Sequence, residues 1–124
     1  MTETDAKEFI QSYKKLESKK YVLNHLKSVH SMDNLEVLEK EYHEICLKIQ
    51  MIEASLAVLK EQEREVIDLH LIKNYTWNEI MYIFEKQYGI EHIYYERTFK
   101  RIQKKALLKI YNFLEEMDME MYVS

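Results

Sequence analysis

The chain has 124 residues, a net charge of −4, no proline, one glycine and one cysteine. Its length and its 47% hydrophobic content suit one or two small domains with a modest core. Cys46 alone excludes an internal disulfide and a cysteine-rich zinc site, which fits a reducing cytosol, and no run approaches the roughly 18 apolar residues of a membrane span. With almost nothing to punctuate hairpins, and with Leu, Lys, Glu, Ile and Met abundant, the expected fold class is all-α.

Taken in chain order, Asp5 to about Val29 reads as a first helix, with Asp5 and Glu8 at capping-box spacing and Phe9, Tyr13, Leu16, Leu23 and Leu26 on one face. His30-Ser31-Met32 reads as a turn, and Asp33 with Glu36 repeats the capping spacing. The next helix has the cleanest periodicity, since Leu35, Leu38, Tyr42, Ile45, Ile49, Ile52, Leu56 and Leu59 alternate steps of three and four. Such a heptad seam needs a partner. Either the first helix folds back on it as an antiparallel hairpin, with the remaining face still open to dimerisation, or the same helix of a second chain makes a homodimer through it.

The charged patch from Lys60 to Arg64 predicts a break, followed by a third helix from about Glu61 to Lys73. Asn74 then suits the left-handed conformation that ends a helix. Thr76 and Glu79 form the capping box of a fourth helix, whose Trp77, Ile80, Ile83 and Phe84 face inward, with Trp77 read as a core aromatic rather than a base-stacking one. Gly89 is the natural stop. The last helix starts between Glu91 and Tyr95 and runs to about Met117, with Phe99, Ile102, Ala106 and Ile110 toward the core. The domains divide as 1–60, a helical hairpin or coiled-coil element, 61–118, a helix-turn-helix, and 119–124, an acidic tail.

Charge is unevenly spread along this plan. Between Ile93 and Asn112 six cations, Arg97, Lys100, Arg101, Lys104, Lys105 and Lys109, stand against Glu96 alone, so the stretch is +5 in a chain that is −4 overall. Two short helices followed by a cationic one are what a major-groove reader needs, because a helix fits the groove and cations hold phosphates. On this reading Arg97 and Arg101 contact guanine, Glu96 accepts from cytosine N4, and Lys100, Lys104, Lys105 and Tyr94 hold the backbone, with Tyr95 at the helix start.

The run from Glu63 to Leu71, then Asn74 to Ile80, then Tyr94 to Ile102, closing on Lys105-Ala106-Leu107, resembles the helix-turn-helix of region 4 of sigma-70-type factors. More narrowly it is similar to the phage late-transcription regulators of the RinA and ArpU type, which also open on a charged helical segment such as Lys7-Glu8-Phe9. The resemblance implies sequence-specific binding of double-stranded DNA near a promoter in a bacterial host cytoplasm, with Glu96, Arg97, Lys100 and Arg101 reading bases and RNA polymerase as a further partner. Two departures stand out: the connection between the reading helices is longer than the family's tight turn, and Tyr95 replaces a small cap residue.

Two other classes compete with this one. A protein-binding adaptor would touch RNA polymerase or a host regulator without reading DNA, and a small terminase subunit would join a helix-turn-helix to oligomerising helices for DNA packaging. Catalysis has little support, because no phosphate loop, nucleophile elbow or paired-carboxylate signature occurs. His25, His30, His43, His70 and His92 are scattered, and His43 with Cys46 one turn on supplies only two metal ligands. Neither enzyme activity nor a cofactor or metal is expected.

Overall fold

Thr2, not Asp5, opens the first helix. In the computed structural model, which describes residues 2–29, 32–89 and 94–117, the Thr2 hydroxyl accepts the Asp5 amide at 3.2 Å and the Asp5 carboxylate accepts the Thr2 amide at 2.9 Å. Asp5 therefore closes the capping box that it was expected to start. The helix so formed, α1 (Glu3–Gln11), is also far shorter than the periodicity predicts. It breaks at Ser12, whose hydroxyl donates to the Phe9 carbonyl at 2.5 Å and whose backbone sits at φ −77°, ψ −6°. A serine bonding its own backbone competes with the helical ladder, and here α1 ends in a turn before α2 begins.

That break separates two jobs. α1 lies against the last helix, while α2 (Tyr13–Val29) runs along α3 (Met32–Ala57) as the antiparallel hairpin expected from the seam. α3 begins one residue before Asp33, inside the turn expected at 30–32; residues 30 and 31 and the Asp33 side chain lie outside the described residues. Along the seam Ile49 and Ile52 are buried, whereas Leu35, Leu38, Tyr42 and Ile45 are half-buried. Leu59, the last seam position, is buried beyond the helix end.

The expected break falls at residues 58–60, where Lys60 is extended at φ −69°, ψ 158° and donates its amide to Glu63 Oε1 at 2.9 Å. Arg64 closes the other side by donating at 3.2 Å to the Leu59 carbonyl just past α3 and to the Leu56 carbonyl, which also accepts the Leu59 amide at 3.1 Å. α4 (Glu61–Ile67) then widens into a π-helical turn at Asp68–Ile72, where the Lys73 amide donates to the Asp68 carbonyl at 2.9 Å. Asn74 takes the left-handed conformation at φ 61°. α5 (Trp77–Tyr88) carries the Thr76–Glu79 capping box and stops at Gly89, and α6 (Glu96–Glu116) starts from Tyr95, which makes no side-chain cap bond. The expected acidic tail, 119–124, lies outside the described residues.

Two buried clusters result, and α4 with its π turn lies between them. The larger joins Phe9 and Ile10 of α1 to Ile49 and Ile52 of α3, Ile67 and Leu71 of the α4 run, and Ala106, Ile110 and Leu114 of α6. It draws on both sides of position 60. The smaller is aromatic: Val66 and Leu69 meet Ile80, Phe84 and Phe99, flanked by Trp77, Tyr88 and Tyr94.

Candidate nucleic-acid interface

α6 is amphipathic over its whole length, and its inner face is what fixes its outer one. Phe99, Ala106 and Ile110, three of the four residues expected inward, are fully buried, Ile102 is half-buried, and Leu107 and Leu114 complete the stripe. The Phe99 ring meets Phe84 at 5.0 Å and Tyr94 at 5.7 Å, both edge to face, a geometry in which positive ring edges meet negative ring faces. With that face held, Glu96, Arg97, Lys100, Arg101 and Lys104 are all exposed and line one shallow depression over the first turns of α6.

Within that ridge Lys100 approaches Glu96 at 3.9 Å, an exposed i,i+4 pair worth a few tenths of a kcal/mol at most, about 0.5. No described acid pairs with Arg97, Arg101 or Lys104. The remaining three sequence candidates divide. Tyr95 is 69% exposed at the helix start. Lys105 is exposed but turns to a neighbouring groove shared with Lys60, Glu61 and Ile102. Tyr94 is half-buried in the aromatic cluster, its hydroxyl donating to Gln62 Oε1 at 3.4 Å, so it fixes the entry to α6 rather than facing outward.

Two contacts that the sequence did not announce lock α6 to the rest of the molecule, and a third ties α5 to α4. Lys109 reaches Glu63, which is 5% exposed, at 2.8 Å. Burial pushes the Glu63 carboxyl up, but the Lys109 hydrogen bond, the Lys60 amide and the charges of Lys109 and Lys105 outweigh it and hold the group below its usual range. His70, on the π turn, has its Nδ1 hydrogen-bonded to Gln103 Oε1 at 2.6 Å, and its ring stacks on Trp77 at 3.7 Å. Trp77 is half-buried between His70 and Phe99, a packing aromatic as expected. At the far end of α5 the Tyr88 hydroxyl donates to Glu65 at 2.8 Å, and that bond, then burial, pushes it up to about 12.

The connection between α5 and α6 spans Gly89 to Tyr95, of which residues 90–93 lie outside the described residues. Gly89 itself, at φ 85°, ψ 169°, occupies backbone space that L side chains rarely enter. Elsewhere His43 is exposed and Cys46 half-buried on α3, and among the described residues no group of three His, Cys, Asp or Glu is placed to hold a metal. No helix among them is long and apolar enough to cross a membrane. Compared with protein families, with curated proteins and with solved structures, the chain matches none.

Proposed function

We propose that this chain is a phage- or prophage-type transcription regulator of the RinA and ArpU kind, which binds double-stranded promoter DNA with α6 as the reading helix and α5 packed behind it. One observation carries the proposal: Arg97, Lys100, Arg101 and Lys104 stand exposed on the first turns of a helix whose opposite face is fixed by Phe99, Ala106 and Ile110. A rigid helix with exposed guanidinium groups near its N-terminal end, paired with no acid among the described residues, suits the major groove, where each bidentate arginine–guanine contact discriminates by about 1–3 kcal/mol. Arg97 and Arg101 take that role. Glu96 accepts from cytosine, while Lys100 and Lys104 hold phosphates, with Lys105 reaching the flanking backbone from the side.

The chain's total of −4 does not oppose this, because a phosphate responds to charge within about a Debye length, roughly 10 Å in ordinary buffer. The test is fluorescence anisotropy or footprinting on the phage's own intergenic DNA at two salt concentrations. Arg97→Ala and Arg101→Ala are expected to lose about tenfold or more in affinity for the specific site. Lys104→Ala is expected to weaken all DNA alike and to lower the salt slope by about 1. Binding that ignores both arginines refutes DNA reading by α6 and favours an adaptor that touches RNA polymerase; a ring-shaped oligomer favours the packaging role.

A further inference from the structure

The hairpin carries a second face that its own helices leave uncovered. Val22 (53% exposed), Val29 (62%) and Val37 (60%) stand out on it: Val29 follows Val22 by seven residues on α2, and Val37 precedes Glu41 by four on α3, so helical register keeps each on one side of its helix. Between the helices lies a groove of about 550 Å³ lined by the buried Leu23 and the half-buried Ile45, with Lys15 and Lys19 on one rim and Glu41, Glu44 and Lys48 on the other. The neighbouring seam explains why it stays open: two helices alone leave Leu35, Leu38 and Ile45 half-buried, whereas Ile49 and Ile52, which join the main cluster, are buried. The heptad seam thus pairs within the chain, and the face beside it is the part of the hairpin left open to a second chain.

We infer that this face docks a second copy of the same chain, α2 of each copy lying along α3 of the other in a four-helix bundle with its twofold axis parallel to the hairpin. Charge selects both the occupant and the geometry. α2 carries Lys14, Lys15, Lys19, Lys20 and Lys27 against Glu17, while the sequence of α3 carries Asp33, Glu36, Glu39, Glu41, Glu44 and Glu53 against Lys40 and Lys48. Rotation about an axis along the hairpin sets each basic rim over the acidic rim of the other copy, with Val22 and Val37 closed inside. An axis across the hairpin would instead stack lysine on lysine and glutamate on glutamate, which like-charge repulsion disfavours.

Sedimentation of the full chain at micromolar concentration tests this. The unaltered protein is expected to be a dimer, and Val22→Lys to be monomeric with its helical circular dichroism intact. Lys19→Glu and Glu44→Lys are each expected to dimerise about tenfold more weakly, since every reversal acts twice across a twofold axis. Mixed together, those two variants are expected to regain the original affinity, because the new carboxylate at position 19 of one then meets the new ammonium at position 44 of the other; mixing cannot repair damage within either chain. A monomeric or ring-forming parent, a dimer indifferent to the single reversals, or a weakening that mixing leaves unrepaired overturns the inference.

Discussion

Between Leu35 and Ile45 the apolar seam of α3 stays half-buried, whereas the cluster beneath the cationic ridge holds Ile80, Phe84 and Phe99 at 1% exposure or less. Both regions are built from alternating three- and four-residue steps. They differ in what lies against them: α6 is covered by α5 and by the α4 run together, while among the described residues α3 packs chiefly against α2. A helix that must present side chains in fixed register benefits from dense burial, and a stem left half covered keeps apolar area for something else to cover.

The contrast is broken or sharpened most strongly by truncating one side chain in each region. Phe99→Ala is expected to cost about 3–5 kcal/mol in urea unfolding, whereas Leu38→Ala, half-buried to begin with, should cost about 1 kcal/mol. Equal losses would erase the distinction. Next in size is Lys109→Met, which strands the buried Glu63 carboxylate and should cost about 2–3 kcal/mol.

The same pair makes the region around the ridge sensitive to acid. Because the Glu63 carboxyl is held below its ordinary value, its contribution to stability is complete above the unfolded carboxylate range and is lost as pH falls through the folded value. The parent should therefore lose more stability on acidification than Lys109→Met, as read from melting temperature against pH. Gly89→Ala meets no atom within 4 Å, so its expected loss of about 1–2 kcal/mol is backbone strain alone. Thr76→Ala removes the α5 cap and should cost about 1 kcal/mol, readable in the same urea series.

What the sequence disclosed follows the reach of the physics involved. Thr76 with Glu79, Asn74 and Gly89 are local rules about single turns, and each lies where the pattern put it. The ridge from Glu96 to Lys104 was legible because one apolar period along α6 fixes the opposite face. Ser12 escaped notice because a serine reads as an ordinary helix residue until its hydroxyl turns to the Phe9 carbonyl. The π turn left no trace, since Asp68 to Ile72 has the composition of any buried helix and the widened geometry emerges only when the run meets both clusters. Pairings between distant positions, Glu63 with Lys109 and His70 with Gln103, have no spacing rule to betray them. Tyr94 looked like a phosphate ligand because it adjoins the cations, yet its ring had the aromatic cluster within reach.

The docking of α1 against α6 has a consequence for how the protein comes into being. Phe9 and Ile10 leave the ribosome long before Ala106, Ile110 and Leu114, the residues that will cover them, so the largest cluster stays unfinished through most of translation. Contacts of such long sequence separation close late and slowly. A nascent chain stalled short of residue 106 would therefore offer a sticky N-terminal helix to chaperones, with the hairpin already zipped behind it.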